Sequence, residues 1–200
     1  MTSRFAIGAL AGTAVLATAA SAGVTVTTSQ VLWNFRVANG GQSVGTETFN
    51  SYSGFDANPI TGTLGNTVWT VSAPGGLFAD AGMMSTQSAY DTLAFTFSPG
   101  VRAVAGNIFG TDTQLNIVPT IVNVTLSDGT SYEGFTTSAS DFIGFYSSAA
   151  NISSLSISVA SPTGSGSVHS TIDNLYLAIP APGAAALLGL AGLATRRRRA

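Results

Sequence analysis

The chain of 200 residues has no cysteine, no lysine and a single histidine, and charged residues make up only 8% of it. Without cysteine it forms no disulfide, offers no thiol nucleophile and holds neither a cysteine-bound zinc nor a thioether-linked haem, so packing must stabilise it alone. Positive charge is almost as scarce. Of seven basic residues, Arg4 and Arg196 to Arg199 sit at the ends, which leaves Arg36 and Arg102 against nine acids in between. A surface so poor in cations cannot displace the counterions of a phosphodiester backbone, and nucleic acid is excluded as a partner. Cations and neutral polymers remain. Walker, dinucleotide-fingerprint, EF-hand and His-Glu-x-x-His patterns are also missing, so nucleotide, EF-hand calcium and zincin chemistry have no support.

What is present begins with an address. Arg4 supplies an N-terminal charge, Phe5 to Ala19 is an uncharged Ala- and Leu-rich run, and Ala20-Ser21-Ala22 closes it with small residues. Signal peptidase accepts only short side chains at those positions, so residues 1–22 read as a signal peptide cut between Ala22 and Gly23.

The other end carries a second address. Pro180-Ala181-Pro182-Gly183 leads into an uncharged segment that ends at Thr195, followed by Arg196, Arg197, Arg198 and Arg199. The thirteen residues from Gly183 to Thr195 rise about 20 Å as a helix, short of the roughly 30 Å hydrocarbon core. The flanking residues from Ile179, with arginines reaching toward the headgroups, bring it to the lower limit for spanning the inner membrane. Arginine-rich ends stay cytoplasmic, which would leave residues 23–178 outside.

A proline motif, a small-residue apolar helix and a terminal arginine block together resemble the PEP-CTERM sorting signal, recognised and cut by exosortases. The usual Pro-Glu-Pro of that signal reads Pro180-Ala181-Pro182 here. The resemblance implies an exosortase as partner, an inner-membrane intermediate, and delivery to the cell surface or an extracellular matrix associated with exopolysaccharide. The expected organisation is a signal peptide over 1–22, an ectodomain over 23–178 and a sorting segment over 179–200.

The ectodomain reads as strands. Trp33, Phe35 and Val37 alternate with polar residues, as do Leu93, Phe95 and Phe97, then Val122, Val124 and Leu126, then Leu155, Ile157 and Val159. Period two with Gly, Asn, Ser and Pro between the runs predicts an all-β fold, a single antiparallel β-sandwich of jelly-roll type. Ser127-Asp128-Gly129-Thr130 is the clearest hairpin signal, with Asp-Gly expected at positive φ. Residues 40–82 are the least regular and read as long loops pinned by Phe55, Trp69 and Phe78. Phe95 to Arg102 with Gly106-Asn107-Ile108-Phe109, Val122 to Gly129, Phe142 to Phe145 and Ile172 to Leu175 resemble β-sandwich ectodomains that carry this sorting tag, which implies a fold and no activity.

Candidate chemistry is thin. His169 is the only base available to a serine nucleophile, and a lone strand histidine is more often packed than catalytic. Glu47 with Glu133 or an aspartate would supply a glycosidase pair, though no spacing marks one. Glu47, in the segment after the Gly-Gly turn, and Asp173, in the last strand, are the candidate ligands of a structural calcium ion, since first and last strands of such sandwiches meet and calcium takes six to eight oxygens. Trp33 and Trp69 read as core, whereas Tyr52 and Tyr90, in loop-like company, are the candidate ligand-binding aromatics. The reading reached is an exported structural protein of the cell surface or matrix without chemistry of its own. The alternative is a carbohydrate-binding module, recognised by two exposed aromatics on one face, and the third is a secreted glycoside or ester hydrolase.

Overall fold

The computed structural model describes residues 23–161 and 166–180. The expected signal peptide, the sorting segment from Ala181 and the arginine block lie outside the described residues. Two antiparallel sheets stack as a β-sandwich. The larger contains β1 (Val24–Thr27), β2 (Gln42–Glu47), β3 (Gly54–Asp56), β6 (Leu77–Asp80), β7 (Met83–Thr86), β9 (Ala103–Thr111), β10 (Ile117–Val118), β13 (Phe142–Ser147) and β15 (His169–Pro180). Its order is β1-β13-β9-β15-β7-β6-β3, with β10 beside β9 and β2 continuing the β7 side of β15. The smaller is ordered β12-β11-β14-β8-β5-β4. Its strands are β4 (Ile60–Leu64), β5 (Thr67–Ser72), β8 (Leu93–Phe97), β11 (Thr120–Leu126), β12 (Ser131–Thr136) and β14 (Ser154–Ala160).

The runs in β8, β11 and β14 bury their alternate apolar residues as period two requires. Phe49, Trp69, Phe95, Ile108, Phe145 and Leu155 meet between the sheets, each worth about 1.5–3 kcal/mol of burial. The Asp-Gly hairpin joins β11 to β12, but only Gly129 takes a positive φ, 85°. Gly129 N–H donates to the Leu126 carbonyl, and Leu126 N–H to Thr130. This is a three-residue loop in which glycine alone must be left-handed, not a two-residue turn.

Two expectations are corrected. Trp33, Phe35 and Val37 lie on a helix, α1 (Gln30–Asn39), capped by the Ser29 hydroxyl accepting from Leu32 N–H. Trp33 and Val37 are buried while Phe35 is exposed, because residues four apart share a helix face and the residue midway between them does not. Residues 40–82 are not long loops: β2 to β6 form there, and the short strands with glycine between them hid the alternation.

Helix α1 covers the outer face of the larger sheet, where Trp33 and Val37 pack on Ala103, Ala105, Phe142 and Ala178. Gly144 makes room for that indole, since a Cβ there would stand 2.6 Å from Trp33 Cδ1. β15 runs through Ile179 and Pro180, paired with Ser43 and Gln42, so these two residues belong to the sandwich: the ectodomain extends past the expected residue 178, and the expected count of a membrane span from Ile179 is corrected.

Candidate functional site

Cross-strand register places four residues in a row on the outer face of the larger sheet: Phe55 opposite Phe78, Phe78 opposite Ser85, and Ser85 opposite Thr171. Directly opposed residues share a face, so the row begins with two aromatics and continues into hydroxyls. Phe55 is 74% exposed, and its ring centroid lies 5.2 Å from that of Phe78 at an interplanar angle of 56°. The hydroxyls form a connected floor, with Thr171 Oγ1 2.9 Å from Ser85 Oγ and 2.7 Å from Thr111 Oγ1.

The loop after β9 folds over this floor. Its frame is Asp112, whose Oδ1 accepts from the backbone N–H of Gln114 and of Asn116 at 2.9 Å, and whose Oδ2 accepts from Asn116 Nδ2 at 2.9 Å. Asn116 beside the carboxylate, more than any other neighbour, holds Asp112 below the usual carboxylate range, helped by the backbone amides of Gln114 and Asn116. Leu115 is left with φ 61°, a conformation that costs a non-glycine residue of order 1 kcal/mol and tends to mark functional loops.

Between the aromatic pair and this loop lies a cleft of about 280 Å³, lined by Phe55 and Phe78 on one side, Asp112 and Leu115 on the other, and His169 and Gln87. His169 is buried at the start of β15 with Nδ1 2.8 Å from the Thr86 carbonyl. A carbonyl only accepts, so Nδ1 carries the proton and Nε2 of the neutral ring is an acceptor. Nε2 is buried and has no hydrogen-bond partner. Such an atom calls for a donor from a ligand or solvent. An apolar wall facing an imidazole acceptor, a carboxylate and an amide suits a small amphipathic ligand with hydroxyl donors.

Of the residues singled out in the sequence, His169, Phe55 and Phe78 line this cleft, whereas Tyr52, Tyr90, Glu47 and Asp173 lie elsewhere. Tyr52 is packed against Phe49 and Trp69, with ring centroids 6.4 and 6.3 Å away, and burial, then Glu47, push its phenol up. Tyr90 is exposed, but its hydroxyl donates to the Gly166 carbonyl. Glu47 and Asp173 do fall on neighbouring strands, Glu47 opposite Leu175. Asn174, at φ 56°, forms a bulge that sets Asp173 opposite Asn107 and Leu175 opposite Gly106. Leu175 points into the core and Asp173 to the outer face near Tyr176, so the two carboxylates project from opposite faces. Glu47 Oε1 accepts from Phe49 N–H at 2.9 Å, and burial raises the Asp173 carboxyl. No group of three or more His, Asp or Glu gathers among the described residues, so a calcium ion at either acid would draw most of its oxygens from backbone and solvent.

The Glu47–Glu133 pair does not assemble. Glu133 stands on β12 in the smaller sheet, away from Glu47. One Gly-x-Ser-x-Gly pattern that sequence reading passed over, Gly41-Gln42-Ser43-Val44-Gly45, lies in β2, where Ser43 pairs with Ile179. It runs from helix to strand, the reverse of a nucleophile elbow. His169 and Ile179 are at opposite ends of β15.

No protein-family model matches the chain, and no curated protein matches it. Among solved structures the chain is similar to a family 29 carbohydrate-binding module, with 10% identity, TM-score 0.36, and coverage of 68% of this chain and 91% of that one. A family 29 module complexed with cellulohexaose gives 11% identity, TM-score 0.35, and the same coverages. One complexed with mannohexaose gives 9% identity and TM-score 0.29, covering 68% of this chain and 92% of that one.

Proposed function

We propose that the chain is a non-catalytic carbohydrate-binding module whose ligand enters the cleft between the Phe55–Phe78 pair and the Asp112 loop. The observation that carries this reading is the exposed aromatic pair set against the buried, unpartnered Nε2 of His169 in one cleft. A pyranose has an apolar C–H face and a rim of hydroxyls. The face packs on an aromatic ring and the rim hydrogen-bonds to groups placed beside it. The rings are tilted and not coplanar, which favours one or two sugar units held in a cleft over a long flat chain on a platform.

The same reading places the module outside the cytoplasmic membrane, on the sequence grounds of Ala20-Ser21-Ala22 and the tail from Pro180, where polysaccharide is at hand. Affinity electrophoresis through gels containing neutral glucans, mannans and galactans tests it. Retardation in at least one gel, relieved by Phe55→Ala, is expected. Unretarded migration in every gel, or retardation that Phe55→Ala leaves unchanged, overturns it.

A further inference from the structure

Helix α1 has two apolar faces, and the sandwich uses one. Trp33 and Val37 turn inward, whereas Val31, Leu32 and Phe35 are 78%, 53% and 63% exposed. At 100° per residue these three span about 100° on the side opposite Trp33. Arg36 borders the stripe, and the helix carries no acid.

The position of this stripe gives it a meaning. Val24 pairs with Ser147, and Ser147 N–H donates to Arg102. Leu177 pairs with Val104, and Ile179 with Ser43. Val24, Arg102 and Ile179 thus stand at one end of the larger sheet, and both chain ends leave the sandwich there. Helix α1 lies over this same end, packed on Ala103 and Ala178.

Charge is divided along the same axis. Residues 23–46 contain no acid, and of the nearby turns 40–41, 65–66, 99–102, 127–130 and 148–153 only 127–130 holds one, Asp128. Both arginines of the domain, Arg36 and Arg102, belong to this end. On a domain with nine acids, an end with a single acid, exposed apolar side chains and two arginines complements an anionic lipid surface.

The tail supplies the distance. Only Ala181 and Pro182 separate the last paired residue, Pro180, from the uncharged run that begins at Gly183. Two residues reach about 7 Å at most. With the run in a bilayer, this end of the sandwich cannot stand clear of the headgroups.

We infer that the Val31–Leu32–Phe35 face of α1 is a membrane seat: it lies in the interface of an anionic bilayer and fixes the domain's orientation, with the sugar cleft turned away at the opposite end of β15. Arg36 and Arg102 meet lipid phosphates, and the three apolar side chains enter the region just below them.

The absence of cysteine makes the test clean, because one introduced thiol is the sole labelling site. The full chain, as Leu32→Cys or Phe35→Cys and as the exposed control Phe135→Cys on the other sheet, is labelled with an environment-sensitive fluorophore. It is then reconstituted into vesicles of equal parts phosphatidylethanolamine and phosphatidylglycerol, with and without nitroxide-bearing lipid. The expected result is blue-shifted emission and strong nitroxide quenching at positions 32 and 35, neither at 135, persisting as protein is diluted into excess vesicles. Quenching at 35 no greater than at 135 overturns the inference, as does a chain that fails to sediment with vesicles. A blue shift that fades on dilution assigns the stripe to a second copy of the chain, and one present without vesicles assigns it to residues 183–195 folded back; either also overturns it. The substitution of Val31, Leu32 and Phe35 together by serine removes only exposed side chains. It is expected to melt like the parent and to lose its preference for phosphatidylglycerol over phosphatidylcholine vesicles.

Discussion

The indole N–H of Trp33 donates to the backbone carbonyl of Phe145 at 3.0 Å, which joins α1 to β13 across most of the chain. Trp33 is fully buried, and its ring also meets Phe142 and Tyr176 at centroid distances of 6.0 and 6.3 Å. Trp33→Phe keeps most of the packing and should cost about 1–3 kcal/mol, chiefly from the carbonyl left unpaired. Trp33→Ala should cost about 3–5 kcal/mol. Urea denaturation measures both; a Trp33→Phe variant as stable as the parent would show that the hydrogen bond contributes nothing, and equal losses would show that the ring packing contributes nothing beyond it.

The opposite wall of that contact is Gly144. A methyl group there must displace the indole or Phe142, whose Cε1 would stand 2.8 Å away. Gly144→Ala should destabilise by about 1–3 kcal/mol through overpacking. The double variant with Trp33→Phe should lose less than the sum, because the smaller ring frees the space; additive losses in a double-mutant cycle would refute the shared contact.

In the cleft, Phe55→Ala should weaken sugar binding by about 0.5–1.5 kcal/mol, roughly threefold to tenfold, with little change in melting, since the ring is mostly exposed. Phe78→Ala should weaken binding similarly and also lower stability, because that ring is half-buried. Isothermal titration beside thermal melting separates the two effects. A large loss of stability in Phe55→Ala with unchanged affinity would make the pair structural.

Asp112 links pH to the loop that closes the cleft. Its ionised form accepts the Asn116 side chain and two backbone amides, so its carboxyl titrates below the ordinary aspartate range. A carboxyl lowered on folding stabilises above its unfolded pKa and loses that contribution as pH falls through the lowered folded value. Asp112→Asn should therefore increase amide exchange at Gln114 and Asn116 most at neutral pH, with the difference from the parent vanishing in strong acid. Exchange at these amides that is the same in both proteins at pH 7 would remove Asp112 as the frame.

Strand-rich architecture was legible because β8, β11 and β14 each face one sheet partner on either side and water or core on alternate faces, so their alternation is unbroken. Trp33 and Val37 fit both period two and a helix. Ser29 as a cap and Arg36 in the last turn were the signals that favour the helix. The cleft was not legible. Phe55, Phe78, Asp112 and His169 come from four distant segments, brought together by register alone, and no spacing in the sequence marks them. The Asp112-to-Asn116 turn chemistry was the one local sign available. Glu47, Asp173, Tyr52 and Tyr90 stand out by their neighbours in sequence, and those neighbours say nothing of the face a bulge such as Asn174 will assign.

The double partnership of β15 has a mechanical consequence. Over its last six residues the strand is paired with β2, and its ladder with β9 reaches Leu177. A load entering at Pro180 acts along the strand axis, so the hydrogen bonds of both ladders share it in shear and are not opened one after another from an edge. Shear spreads force over many bonds at once. Pulled from Pro180, the domain would yield last at the point where the load enters.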